Sequence, residues 1–278
     1  MPREMKPHEK RCDTKDSLAP ATSPNLLQSE LVETEFLEKV RARTPARLLL
    51  GRAGAGYPTA AQLDLRQAHA AARDAVRAEL DLEKQFGAEF LNRWGLFEVS
   101  TSARSKDEYL LRPDLGRFFP ETSRAEILRR VTPQSNLQIV IGDGLSVTAV
   151  FLQVPQMLPR LYERANSCGW KLGQIFVIRH CRVGIVNQIG ALLQPSVAVL
   201  LIGERPGLAT AESLSAYMAY RPQLTHTDAD RNLISNIHAR GVSPSDAADR
   251  IIHLAATMMT AKISGTQLQA EETRSLEQ

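Results

Sequence analysis

A chain of 278 residues with 43% hydrophobic and 23% charged side chains is long enough to bury a sizeable core and has the composition of an ordinary soluble globular protein. A net charge of +3 with only 5% aromatic residues, and no basic stripe interleaved with aromatics, excludes an electrostatic nucleic-acid binder. The longest apolar runs, such as Val197 to Ile202, fall far short of the roughly 20 residues that a membrane helix needs, so no membrane span is expected.

In chain order, residues 1–28 combine Pro2, Pro7, Pro20 and Pro24 with Ser, Thr and mixed charges, which predicts a disordered leader. Arg3, Glu4, Lys6, Glu9, Lys10 and Arg11 have no apolar stretch behind them, unlike a signal peptide, so a cytoplasmic location is expected. Residues 29–135 read as a mainly helical N-terminal region with a short β-hairpin. Its first helix runs from Ser29, as N-cap, to Arg43, with Leu31, Phe36, Leu37 and Val40 at near-helical spacing and Pro45 ending it. Leu48 to Leu50 enters a glycine turn, Gly51 to Gly56, and proline-free residues 59–93 predict helix. Leu96 to Thr101 and Tyr109 to Arg112 read as the two strands of the hairpin, joined by a charged turn.

Residues 136–270 form the predicted α/β domain, followed by a tail at 271–278. Leu137 to Ile141, Gln174 to Arg179, Val197 to Ile202 and Leu214 to Tyr220 read as strands, the first three apolar without alternation, as suits strands covered on both faces. A helix to about Asn166, interrupted near Pro155, follows the first strand, and Asp246 to Ile263 is a second amphipathic helix. The fold expected is α/β: a mainly parallel, Rossmann-like sheet with helices on both faces.

In such sheets ligands bind beyond the carboxyl ends of the strands. After the first strand comes Gly142-Asp143-Gly144-Leu145-Ser146; the glycines allow close backbone approach, and a Ser146 cap would leave N–H groups for an anion. Val147 stands where a dinucleotide fingerprint has its third glycine. The string therefore fits either an ordinary strand-to-helix turn or a free-standing module binding a nucleotide or other phosphorylated ligand. After the third comes Gly203-Glu204-Arg205-Pro206-Gly207, where charges behind an apolar strand must reach water, each other or a ligand. An ion-paired turn and a ligand site both satisfy that requirement. Polar text continues at Glu212 to Ser215, Asp228 to Arg231 and Ile234 to His238, where His238 reads as a structural histidine.

Cys12, Cys168 and Cys181 give an odd count with no metal-ligand spacing, consistent with a reduced compartment and no metal site. Arginine greatly outnumbers lysine, which suits carboxylate or phosphate recognition, although a GC-rich genome produces the same bias. No His-Glu-x-x-His, Cys-x-x-Cys, nucleophile elbow or marked carboxylate pair occurs, so no catalytic residue is assigned.

Several strings in order resemble the small subunit of ethanolamine ammonia-lyase across roughly residues 47–265. They are Gly51-Arg52-Ala53-Gly54, Tyr109 to Arg117, Asp143 to Ser146, Gln188-Ile189-Gly190, Gly203 to Leu208, Glu212 to Ser215, Ala229-Asp230-Arg231 and Ile234 to His238. The resemblance implies a large (heavy) barrel subunit as partner in a higher-order hetero-oligomer, with adenosylcobalamin clamped between the subunits. It implies conversion of ethanolamine to acetaldehyde and ammonia by a radical formed from the cofactor, often inside a bacterial microcompartment, and no activity for this chain alone. The family's cobalamin contacts fall on Val183, Glu204 and Leu233, the last a departure from the usual cysteine. Asp143, Gly144, Ser146, Arg205, Ser213 and Asn236 are further candidates for cofactor or interface contact. The Asp-x-His-x-x-Gly ligand of base-replaced cobalamin enzymes is absent, so the benzimidazole is expected to stay on cobalt.

Overall fold

The structure, a computed structural model, describes residues 35–44 and 46–269. The expected leader, residues 29–34 of the first predicted helix, its stop at Pro45 and the tail at 271–278 lie outside the described residues. The chain divides into two compact units, Met1–Thr44 and Pro45–Gln278. In the first, residues 35–42 are helical (α1); every element below belongs to the second. No helix among the described residues is long and apolar enough to cross a membrane.

The helical stretch predicted at 59–93 is two helices, α2 (Thr59–Arg77) and α3 (Leu82–Trp94). Asp81 starts the second by accepting the Lys84 N–H at 3.1 Å, an N-cap that reopens a helix after the break. α3 carries Phe86, Phe90 and Trp94 on one side, and Trp94 meets Tyr162 edge-on with ring centroids 5.6 Å apart.

Strand β1 (Glu98–Ser100) forms where expected, but the hairpin does not. Its second arm is helix α4 (Lys106–Leu111). Ser105 accepts the Glu108 N–H at 3.2 Å, and the Glu108 carboxylate takes the Arg104 N–H at 2.7 Å. This local cap overrides the β-propensity of Tyr109 and its leucine neighbours. A 3₁₀ turn (Leu115–Arg117) and α5 (Glu121–Arg130) follow.

The remaining elements are β2 (Leu137–Gly142), α6 (Val147–Ser167), β3 (Phe176–Arg179), α7 (Ile185–Leu193), β4 (Val197–Gly203), β5 (Leu214–Tyr220), β6 (Asn232–Ile237) and α8 (Pro244–Ala261). α6 continues through Pro155 and Pro159 instead of breaking; each proline removes one internal hydrogen bond, leaving the carbonyls of Phe151 and Pro155 without their usual helical donors.

The six strands form one sheet in the order β1-β3-β2-β4-β5-β6. β1, β3, β2 and β4 pair in parallel, whereas β4–β5 and β5–β6 are antiparallel. The sheet is therefore mixed, which corrects the mainly parallel, Rossmann-like expectation. The physical reason is connection length: residues 204–213 and 221–231 hold no crossover helix, and without one the chain can only return antiparallel.

Helices do cover both faces. Ile139, Ile141, Val199, Leu201, Ala216 and Met218 face α6 and α8, while Val140, Phe176, Ile178, Ala198, Leu200 and Ala219 face the side of α5 and α7. Toward β5 and β6 that second face opens. Tyr217 is only half-buried, and its register partner Leu233 is 48% exposed.

Candidate functional site

β2, β3 and β4 end at one edge of the sheet, where two grooves adjoin. The smaller, about 340 Å³, is bordered by Gly144, Ile202, Glu204 and Arg205; the larger, about 770 Å³, by Arg117, Asn187, Asp228 and Arg231. Arg182, Val183 and Tyr217 border both. Phe118 and Leu224, 52% and 61% exposed, add an apolar rim to the larger groove.

Val183 reaches this place on a loop held by side chains from elsewhere. His180 opens the loop with φ of 58°, a left-handed conformation that a non-glycine residue keeps only when its surroundings fix it. The Asp143 carboxylate accepts the His180 N–H at 2.9 Å and the Cys181 N–H at 2.8 Å. Thr101 Oγ1 donates to the His180 carbonyl at 2.9 Å and the Tyr109 hydroxyl to the Cys181 carbonyl at 2.8 Å. The Arg182 N–H donates to the Gly116 carbonyl at 2.9 Å.

The floor beneath is charged. Lys106, 6% exposed, places Nζ 4.0 Å from Asp143 Oδ2 and 5.3 Å from the centre of the Tyr109 ring. Burial raises the Asp143 carboxyl above its ordinary range, opposed by Lys106 and by the two amide donors. Burial likewise pushes the Cys181 thiol well up, which makes it an unreactive core thiol despite its position beside the groove.

Glu204 borders the smaller groove. Its Oε2 accepts from Ser213 Oγ at 2.6 Å, and its Oε1 accepts from Ser215 Oγ and from the Asn236 N–H at 3.4 Å. Its own N–H donates to the Ser213 carbonyl at 3.0 Å. Among the described residues no ion pair joins Glu204 to Arg205, so the ion-paired turn is replaced by a carboxylate fixed by two hydroxyls and an amide across β5 and β6. Asn236, with φ of 61°, passes the network on: its Oδ1 lies 2.7 Å from His238 Nε2, while His238 Nδ1 accepts the Arg240 N–H at 3.2 Å.

This pattern assigns His238 as the neutral, Nε2-protonated tautomer. Burial, helped by the Arg240 charge, holds its pKa below the ordinary 6.5. The unfolded chain then takes up the proton first as pH falls, so stability is full above the unfolded pKa and declines as pH drops from 6.5 toward the folded value. Denaturant melts at pH 7.5 and pH 5.5 should show this loss in the native chain; in His238→Gln the loss should be smaller. Equal pH dependence in both proteins would dismiss the assignment.

Asp143, Gly144 and Ser146 also hold the framework of the strand tips together. Asp143 is 1% exposed, with both oxygens engaged. Ser146 is fully buried, its hydroxyl accepting the Ala149 N–H at 3.1 Å and donating to the Ala211 carbonyl at 2.5 Å. At Gly144, φ is 57° and an added Cβ would lie 2.2 Å from the Gly203 carbonyl oxygen. The glycines let the tips of β2 and β4 pack backbone on backbone, and Ser146 caps α6 as expected, its hydroxyl also tied to the Ala211 carbonyl. Of the other predicted residues, Glu204, Ser213 and Asn236 share one network, Val183 and Arg205 border the same groove, and Leu233 lies opposite Tyr217. Sequence reasoning missed Tyr217, Arg117 and Arg182. Tyr217 left one signal: it is the large polar-tipped residue at an otherwise small position of β5.

Two comparisons with known proteins bear on this geometry. The family model described as ethanolamine ammonia-lyase light chain (EutC) matches residues 34–269. The ethanolamine ammonia-lyase small subunit of Clostridium perfringens is 40% identical over 244 residues, covering 87% of this chain and 80% of that protein. That of Clostridioides difficile is 39% identical over 243 residues, covering 87% and 81%. That of Clostridium acetobutylicum is 38% identical over 244 residues, covering 88% and 98%.

Proposed function

This chain belongs to the ethanolamine ammonia-lyase light-chain family, a subunit family of a carbon–nitrogen lyase, and on that premise we propose that it holds one half of an adenosylcobalamin site. The other half belongs to the large subunit, with which it forms a hetero-oligomer that converts ethanolamine to acetaldehyde and ammonia. The observation that carries this reading is Glu204: a carboxylate fixed by Ser213, Ser215 and the Asn236 amide at the strand tips, bordering a groove with Val183 and Tyr217.

The residues present suit the group. Cobalamin is edged with primary amides, which are donors, and it carries a phosphate and an apolar benzimidazole. Glu204 supplies a pre-oriented acceptor, since a carboxylate has about four lone-pair sites and three are engaged here. Val183, Tyr217 and Leu233 supply partly exposed apolar surface for packing. Packing survives the exchange of cysteine for leucine at 233, whereas a sulfur contact would not. When bound, adenosylcobalamin supplies the radical that begins the reaction. This chain's residues bind and orient the macrocycle, and none of them acts on the substrate.

The exposed apolar rim of Phe118, Leu224 and Leu233 supports a face that another subunit covers. The family resemblance supports a place inside the cell, within a protein-shelled microcompartment. The rival reading, a free-standing nucleotide module built on Asp143 to Ser146, is disfavoured because the Asp143 carboxylate and the Ser146 hydroxyl are engaged within the framework. Co-expression with the large subunit tests the division of labour: the purified pair should deaminate ethanolamine with adenosylcobalamin, and this chain alone should not. Turnover by the lone chain, or failure of the pair to assemble, would contradict it.

A further inference from the structure

The connection from β4 to β5, residues 204–213, holds no helix or strand, so its backbone polar groups need partners from elsewhere. Successive carbonyls find them. Leu208 accepts from Arg47 Nη1 at 2.5 Å and Ala209 from Arg240 Nη2 at 3.2 Å. Thr210 accepts from the Gly207 N–H at 3.0 Å and Ala211 from Ser146 Oγ at 2.5 Å. Glu212 accepts from Gln153 Nε2 at 3.2 Å and Ser213 from the Glu204 N–H at 3.0 Å.

These fasteners divide by origin. Ser146 and Gln153, from the cap and body of α6, hold the arm that returns to β5. Arg47 and Arg240 hold the tip. Arg240 also closes a circuit: its N–H donates to His238 Nδ1, His238 Nε2 meets Asn236 Oδ1, and the Asn236 N–H donates to Glu204.

Arg47 comes from the segment before α2, outside the helices that cover the sheet. Its fork splits between two partners, Nε donating to Asp64 Oδ2 at 2.5 Å and Nη1 to the Leu208 carbonyl. The hydrogen bond from Arg47 holds the Asp64 carboxyl below its ordinary range. The Arg47 side chain is 23% exposed, so water competes only in part for the Leu208 carbonyl. A lysine would keep the charge, but its single ammonium is not the planar fork that spans both partners. Arg47 is not among the residues bordering either groove, whereas Glu204 and Arg205 of the turn it grips border the smaller one.

We propose that Arg47, aimed by Asp64, is a positioning residue for the cofactor. It straps the β4–β5 turn into the shape that presents Glu204 and Arg205 to the smaller groove, without itself touching the ligand. The inference rests on the proposed cofactor role, and Glu204→Ala is the control that separates the two.

Hydrogen–deuterium exchange and cyanocobalamin titration of the two-subunit complex test it with separate readouts. Before any cofactor is added, Arg47→Met should speed exchange at the Glu204, Gly207 and Glu212 amides by about tenfold, as expected for loss of one charge-assisted hydrogen bond. It should weaken cyanocobalamin binding by up to about tenfold, raise the KM for adenosylcobalamin by the same factor and leave kcat unchanged. Arg47→Lys should show the same changes at a native melting temperature, which a merely structural role would not produce. Native exchange in the turn of both variants would overturn the strap. Faster exchange with native cobalamin affinity, while Glu204→Ala binds weakly, would overturn the positioning role and leave the cofactor role standing. Native affinity in Glu204→Ala and both Arg47 variants alike would overturn both.

Discussion

Asp143→Ala should cost about 3–5 kcal/mol of folding stability, the range for removing one partner of a buried charge pair. Asp143 is 1% exposed and Lys106 is 6% exposed, with Nζ 4.0 Å from the carboxylate and no hydrogen-bond partner among the described residues. Deleting the carboxylate leaves that ammonium uncompensated in the core and orphans the N–H groups of His180 and Cys181, each a further cost. The loop that carries Val183 would also lose the contact that holds His180 in its left-handed conformation, so cofactor affinity of the assembled pair should fall with stability. Removing the charge as well, in Asp143→Ala with Lys106→Met, should recover part of the lost stability, because an apolar pair of similar size does not need the missing partner. Denaturant midpoints at constant slope measure both effects. A loss below about 1 kcal/mol for Asp143→Ala, the level of an ordinary substitution, would show that the pair does not hold the loop.

Glu204→Ala should weaken cobalamin retention by the assembled pair by on the order of 1–3 kcal/mol, the cost of deleting a charged hydrogen-bond acceptor. Ser213 is 8% exposed and Ser215 is 1% exposed, and both hydroxyls currently donate to this carboxylate. The alanine variant leaves them without an acceptor, so some folding stability is lost too. Glu204→Gln separates the two losses. Its amide oxygen keeps one acceptor and the serine hydroxyls can rotate to accept from its NH₂, so folding is preserved while the charge is gone. Weaker cobalamin binding in Glu204→Gln with unchanged assembly assigns the effect to the ligand. Unchanged affinity in both variants would remove Glu204 from the site.

What could be read from the sequence follows from how local the determining physics is. β2 and β4 stand where their apolar runs predicted, because a strand buried on both faces writes itself as continuous apolar text; β5 also stands at its expected residues. The direction of β5 was not in that text; it depends on how few residues follow β4. β6 was missed because Asn232, Ser235 and Asn236 dilute its alternation, and a register irregularity between Leu214 and Ala216 disturbs its pairing. α4 was read as a strand because Tyr109 and its leucines look extended, and only the Ser105 cap decides otherwise.

The same division runs through the site. Glu204 was legible because a carboxylate directly behind an apolar strand must find partners somewhere. Its partners are Ser213 and Ser215 at the start of β5 and Asn236 in β6, and neither the direction of β5 nor the existence of β6 was revealed by the sequence. The internal hydrogen bonds of Asp143 and Ser146 were not legible, because a glycine turn that cradles an anion and one that packs backbone on backbone are spelled alike. The groove arginines, at positions 117, 182 and 231, are scattered along the chain and meet only through the fold.

Hydrogen–deuterium exchange on the two-subunit complex, with and without cobalamin, tests the central claim most directly. Cofactor should slow exchange in the 180–186 loop, at 203–206, and along 213–217 and 232–236 of this chain. Protection confined to the large subunit, with those four segments unchanged, would contradict it.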